Sequence, residues 1–369
     1  MPVRALARVN LAAIERNVER LRHATGSGTQ LCAVVKADGY GHGSVQSARA
    51  ALAGGASWLA VATASEAAEL REAGIESPLL VMGALSAEEL PVALDAGADV
   101  VAWSEAFVEL LGAGPARVHV KLDTGMGRLG TREQAEALRI AERIDATSGL
   151  ELAGGMTHFA TADDDLGFLA AQVERFDRFV EELRTRWPEL LVHAANSAAT
   201  LSAPQSHYDM VRCGIAIYGC DPMNGDPARW ELEPVLELTS YVAAVKHARP
   251  GESVGYGRRF VAESDTKIVT LPIGYADGIR RALTNNCEVL ARGRRYPLVG
   301  TVSMDNITLE AGPRTDIRIG DAATIIGAEG NERVTAEELA NRAGTINYEI
   351  VCGISGRVPR HYHRDGEPV

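Results

Sequence analysis

The sequence predicts an α/β architecture: a (β/α)8 TIM barrel followed by a mostly β C-terminal domain. Three observations carry this expectation. Eight short apolar runs alternate with helical stretches between residue 31 and about residue 220. Polar and basic residues gather at the C-terminal ends of those runs, where barrels of this kind place their chemistry. Beyond Glu233-Pro234 the texture shortens to strands and turns, as in "YVAAVKHARPGESVGYGRRF" and "YPLVGTVSMDNITLE". A doubly wound open sheet shares the alternation and stands as the structural alternative.

The elements follow in order. In "ALARVNLAAIERNVERLRHA", Leu11, Ile14, Val18 and Leu21 recur at helical spacing beside Glu15 and Glu19. That is the pattern of an amphipathic helix and not of a signal or transit peptide. Strands are expected at 31–36, 57–61, 78–82, 98–103, 117–122, 152–158, 191–196 and 208–213. Helices are expected between them, among others over 62–74, 86–97 and 166–187. The last keeps an apolar stripe through Leu169, Val173, Phe176 and Val180, and Gly74 and Gly97 sit where helices should stop. The barrel is expected to span 10–232, and the second domain 233–369 together with the N-terminal residues 1–9.

Composition narrows the function. A chain of 369 residues, 46% of them hydrophobic, can bury two cores. A net charge of -12 argues against a dedicated nucleic-acid binder, and no apolar stretch reaches the length of a membrane span. Five cysteines without a CxxC or Cys/His pattern predict neither disulfides nor a metal site, and fit a reducing cytoplasm. Of the 37 basic residues only four are lysine. A chain that otherwise uses arginine has a reason to put Lys36 at the end of its first expected strand, because a desolvated lysine can lose its proton and act as a nucleophile.

Other polar residues fall on the same expected rim. Lys121 lies near the end of the fifth strand, with Arg128 in the glycine-rich loop after it. His158 ends the sixth, Asn196 and Ser197 follow the seventh, and Arg212 lies at the eighth, before Gly214 and Ile215. Ser197 and the backbone N–H groups of Gly214 and Ile215 suit a phosphate, which barrels often bind after their last two strands. A lysine nucleophile, a phosphate cradle and a strand-end arginine together point to pyridoxal 5'-phosphate held as a Schiff base. Taken singly these residues have blander readings: a solvated surface lysine, a satisfied core histidine. "GYGHG" is spaced G-x-G-x-G and is a weak dinucleotide signal.

The motifs "AVVKADGYGHG", "KLDTGMGRLG", "THFA", "ANSAAT", "VRCGIAIYG", "VGYGRRF", "LPIGYADG", "VGTVSMDNI" and "NYEIVCGISGRVPR" resemble, in order and over nearly the whole chain, those of the alanine racemases. The resemblance implies a pyridoxal 5'-phosphate enzyme, an isomerase that interconverts L-alanine and D-alanine. It implies Lys36 as cofactor lysine and base for the D-face, and Tyr256, supplied by the partner subunit of a homodimer, as base for the L-face. Tyr40, Ser197, Gly214, Ile215 and Tyr348 match phosphate-binding positions. His158, with Asn196 beside it, matches the residue at the pyridine ring, and Arg212 the residue on the ring nitrogen. Arg128 and Met304 match positions near the substrate carboxylate, and Lys121 a lysine carbamylated in several relatives. Tyr275 and Tyr348 match tyrosines lining the substrate entrance. A cytoplasmic enzyme supplying D-alanine for peptidoglycan is the implied role.

Ser303 and Asn306 depart from the family's frequent Cys and Gln, which touches only fine substrate positioning. Alternatives are an enzyme for another small amino acid such as serine, or a scaffold that binds an inhibitor without turnover. A barrel-type decarboxylase would pair the ring nitrogen with a carboxylate, against Arg212. A pyridoxal-phosphate carrier would lack the second domain with Tyr256.

Overall fold

The structure is a computed structural model that describes residues 3–369. Met1 and Pro2, part of the N-terminal segment expected with the second domain, lie outside the described residues. The chain forms two compact units. Its first strand, β1 (Ala5–Asn10), belongs to the second of them.

The other unit, Ile14–Ile217 with Trp230–Leu232, is the barrel. Its strands are β2 (Gln30–Val34), β3 (Trp58–Val61), β4 (Leu79–Val81), β5 (Asp99–Ala102), β6 (Ala116–Lys121), β7 (Leu150–Met156), β8 (Leu191–His193) and β9 (Met210–Cys213). They close in chain order, and β2 pairs in parallel with β9 from Gln30↔Met210 to Ala33↔Cys213. The closed ring removes the open-sheet alternative. β3, β4 and β5 are buried at every residue, which is why they read as continuous apolar runs. The helices begin on side-chain caps where the sequence supplies them. Thr63 and Glu66 form a reciprocal capping box, and Asp165 accepts from the Phe168 N–H at 3.0 Å. Leu169, Val173, Phe176 and Val180 are all buried, as their spacing predicts.

Three strands stop two residues or more short of their expected ends. β2 ends at Val34, β7 at Met156 and β8 at His193, so Lys36, His158 and Asn196 sit in the turns beyond the ladder. After β2 the reason is visible in the backbone. Ala37, Asp38, Gly39 and Tyr40 all take φ between 52° and 58°, a left-handed helical turn.

The second unit comprises the chain up to Ala13, Tyr218–Arg229 and Glu233–Val369. Its remaining strands are β10 (Leu236–Tyr241), β11 (Ala244–Ala248), β12 (Ser253–Val254), β13 (Phe260–Val261), β14 (Thr266–Leu271), β15 (Glu288–Ala291), β16 (Arg294–Pro297), β17 (Ile307–Glu310), β18 (Ala322–Glu329), β19 (Glu332–Val334), β20 (Arg360–Arg364) and β21 (Glu367–Pro368). The main sheet has the order β16-β15-β18-β10-β1-β20-β21, with β19 on β18. A second sheet runs β11-β14-β17, and β12 pairs with β13. β1 and β10 alternate buried and half-buried residues, the mark of a sheet covered on one face. The boundary expected at 232/233 does not coincide with the contact boundary along Tyr218–Arg229. There the Asp221 N–H donates to Glu337 at 3.0 Å, and Arg333 donates to Asp226 at 2.7 Å. Among the described residues no helix is long and apolar enough to cross a membrane, and none of the five cysteines is in a disulfide.

Candidate active site

The barrel's strand-end residues form one electropositive cluster. A left-handed turn of L-residues costs roughly 1–2 kcal/mol per non-glycine residue, so the turn that begins at Lys36 needs outside support. Glu66 supplies it by accepting from the Ala37 N–H at 2.7 Å, and Asp38 accepts from the Ser44 N–H at 3.1 Å. Within the turn, Gly43 N–H donates to Asp38 O at 2.8 Å. The turn delivers the buried Tyr40 ring against Gly214, where an added Cβ would lie 2.3 Å from the Tyr40 hydroxyl. Glycine is therefore required there for close approach.

Beside that contact, Ser197 Oγ accepts from the N–H groups of Gly214 at 3.0 Å and Ala216 at 3.3 Å. Ile215 opens a 3-10 turn, so its N–H has no partner inside that turn. Hydroxyls of Tyr40 and Ser197 around such a donor fit a small anion such as a phosphate ester. Asn196 is the N-cap of the short helix Ser197–Ser202, its Oδ1 accepting from the Ala199 N–H at 3.0 Å.

Arg212 is buried with only neutral acceptors. Nη1 donates to His193 Nδ1 at 2.9 Å, and Nη2 to the carbonyls of Thr157 and Ala194, both at 2.9 Å, and to His158 Nδ1 at 3.2 Å. Its Nε makes no hydrogen bond among the described residues, leaving one directional donor for a ligand acceptor. Burial pushes the guanidinium down to about 10, which still leaves it charged at neutral pH. His158 is held well below its ordinary value by burial and then by Arg212, Lys121, Arg128 and Lys36. His158 is thus neutral, with its lone pair on Arg212.

Lys121, 5% exposed, is pushed down to about 8, first by burial and then by Arg212 and Arg128, with Asp123 opposing and Lys36 adding to the fall. Arg128 is exposed, in a loop wrapped around Asp123. Asp123 Oδ1 accepts from the N–H groups of Gly125 and Gly127, each at 3.0 Å. Burial raises Asp123, but those bonds and Arg132 take it below the usual carboxylate range.

The remaining expected residues lie in the second unit. Tyr256 is 75% exposed, on a loop whose Gly255 adopts φ 74° and ψ -178°, a region essentially confined to glycine. Thr301 Oγ1 holds that loop by donating to Tyr256 O at 2.7 Å. Tyr275 and Met304 are brought side by side by two backbone bonds, Tyr275 N–H to Ser303 O at 2.9 Å and Ala276 N–H to Met304 O at 3.0 Å. Ser303 and Asn306 close the adjoining turn on each other, with Asn306 N–H donating to Ser303 Oγ at 3.1 Å. Tyr348 is half-buried on the helix Asn347–Cys352.

Sequence reasoning misses the supports. Gln172 is wholly buried, accepting from the Ala160 N–H at 2.8 Å and donating to Thr124 Oγ1 at 3.1 Å, and so pins two strand ends. A glutamine within an apolar helical stripe is the signal that could have found it. His193 and His119 also escape notice, although each is a histidine inside an apolar strand run.

The family models for the alanine racemase N-terminal and C-terminal domains match residues 9–222 and 235–362. The alanine racemase of Symbiobacterium thermophilum is 41% identical over 364 residues, covering 96% of both chains. The crystal structure of alanine racemase from D-cycloserine-producing Streptomyces lavendulae has a TM-score of 0.93 at 36% identity, over 98% of each chain. That of Bacillus anthracis, with bound L-Ala-P, has a TM-score of 0.91 at 36% identity, over 99% of this chain and 96% of that one. With matches to both domain models and to relatives along its whole length, the chain belongs to the alanine racemase family, isomerases acting on amino acids.

Proposed function

We propose that this chain interconverts L-alanine and D-alanine with pyridoxal 5'-phosphate, in a homodimer whose subunits share their active sites. The observation that carries the reading is the surroundings of Arg212: a buried cation with a free Nε and only neutral acceptors. A ligand acceptor at Arg212 Nε would receive a hydrogen bond and no proton, because guanidinium practically never gives one up. Lys36 would hold the cofactor covalently, Tyr40, Ser197, Gly214 and Ile215, with Tyr348, would bind its phosphate, and His158 and Asn196 would contact its ring. The cofactor, when bound, supplies an electron sink that acidifies the substrate Cα–H bond.

Inversion at carbon needs a proton removed from one face and another delivered to the opposite face. Lys36 Nζ serves the D-face and the Tyr256 phenol the L-face. The exposure of Tyr256, Tyr275 and Met304 leaves their side chains available to a partner subunit. Arg128 and Met304 orient the substrate carboxylate, and Tyr275 and Tyr348 line the entrance. Lys121, once carbamylated, is the proposed anion that orients Arg128. Its lowered pKa supplies the neutral amine that carbon dioxide needs, giving a carbamate and releasing one proton. The product D-alanine is assigned to peptidoglycan synthesis in the cytoplasm.

The test is circular dichroism of purified protein with L-alanine and pyridoxal phosphate. The signal should decay to zero, and Lys36→Ala should hold it constant. Mixing inactive Lys36→Ala and Tyr256→Phe chains should restore part of the activity through heterodimers; no recovery after verified exchange rejects the shared site.

A further inference from the structure

A buried hydrogen-bonded chain leaves the proposed site and crosses the barrel interior. From Arg212 Nη1 it passes to His193 Nδ1 at 2.9 Å, from His193 Nε2 to His119 Nδ1 at 2.9 Å, and from His119 Nε2 to Asp99 Oδ2 at 3.0 Å. Both imidazoles are fully buried and meet edge to face, with ring centroids 5.0 Å apart, and Trp58 packs edge-on against His119 at 6.2 Å. Asp99 opens β5, at the end of the barrel opposite the strand-end cluster. There Arg117 Nε donates to its two oxygens at 3.2 and 3.3 Å.

The donor inventory allows this chain one polarity. Arginine only donates, so His193 Nδ1 must accept, and its proton lies on Nε2. His119 Nδ1 then accepts and His119 Nε2 carries the proton. An ionised carboxylate only accepts, so Asp99 demands the same direction from the other end. Burial and the charge of Arg212 hold His193 well below its ordinary pKa, which agrees with a neutral ring. Arg212 has no carboxylate among its hydrogen-bond partners, and Asp99 is the anion that two imidazole dipoles connect to it.

We propose that His119 and Asp99 are positioning residues for Arg212: together they lock the His193 tautomer so that a lone pair, and never an N–H, faces the guanidinium. A reversed His193 would set donor against donor and turn Arg212 away from the ring nitrogen. The kinetic consequence rests on the role proposed for Arg212, whereas the tautomer assignment stands independently of it.

Selective 15N-histidine labelling of the full-length protein, with and without pyridoxal phosphate, reads the tautomers directly. Both His119 and His193 should carry the proton on Nε2; a proton on Nδ1 of either ring overturns the proposal. Glutamine can accept with one end of its amide and donate with the other, so it can keep the polarity, whereas leucine cannot. His119→Leu and Asp99→Leu should mix the His193 tautomers and lower kcat by roughly 10- to 100-fold, the size of effect that loss of an orienting partner has at metal-bound histidines, with the alanine KM changed much less. His119→Gln should recover most of that loss and a single His193 tautomer. Equal rates in the glutamine and leucine variants would overturn the proposal. If the wild type fails to interconvert alanine, the functional reading falls while the tautomer result stands.

Discussion

Two arginines, one in each unit, are held by opposite means. Arg212 is buried among neutral acceptors, and burial lowers its pKa. Arg295 is half-buried among three carboxylates. Its Nε donates to Glu332 at 2.9 Å and its Nη1 to Glu338 at 2.8 Å and Glu288 at 3.3 Å, and its pKa is pushed up, first by the bonds to Glu338. Arg342 joins the same network, donating to Glu288 at 3.0 Å. Arg295 spends its donors on the fold, tying β16 to β15, to β19 and to the helix Ala336–Ala343. Arg212 keeps its Nε in reserve, at the cost of a buried charge with no neighbouring anion. A charge held for structure is neutralised on the spot, and the one proposed for chemistry is not.

The largest effect expected from breaking this contrast is at Arg212. Arg212→Glu puts an anion where a cation donates to four acceptors. Racemisation should fall by roughly 100- to 1000-fold, as loss of one preorganised donor does. Pyruvate release from alanine should rise relative to racemisation, because a carboxylate lets the ring nitrogen keep a proton. An unchanged ratio in a pyruvate assay would sink that account.

Next comes Lys121. Its folded pKa of about 8 lies below the ordinary 10.5, so between those values the unfolded chain binds more protons and stability rises with pH. The full interval corresponds to about 3 kcal/mol. In carbon-dioxide-free buffer, urea denaturation should show wild type gaining up to that amount between pH 8 and 10.5 relative to Lys121→Met. A flat difference would mean that the amine is not desolvated.

The smallest effect is at Arg295. Arg295→Leu should cost about 1–2 kcal/mol in the same assay, since partly exposed ion pairs contribute modestly and only a network adds up. Here kcat should be unaltered. A large loss of rate would erase the division between structural and chemical arginines.

The barrel is legible in the sequence because a parallel strand covered on both faces is an apolar run, as in "WLAV" and "DVVA". The strand-end lysine, histidine and arginine are legible by the same rule, since the loops beyond parallel strands all emerge at one end. The turn after Lys36 is not, because Ala37, Asp38 and Tyr40 carry no local preference for positive φ, and the bond from Ala37 N–H to Glu66 that helps impose it comes from another helix. The histidine chain escapes because His119 and His193 meet only through the pairing of β6, β7 and β8, with a register shift after Val118 that no local pattern records. The place of β1 between β10 and β20 escapes similarly, for both neighbours are separated from it in sequence by the whole barrel.

The mirror-handed turn that follows Lys36 has a consequence for anyone wishing to borrow this amine. Cut free as a peptide, "KADGYGHG" would relax into ordinary right-handed or extended shapes, and nothing would aim the amine. The motif is portable as text and not as an object: an engineered host would have to bring the Glu66 carboxylate and the Gly214 clearance with it before the borrowed lysine could be held in the same turn.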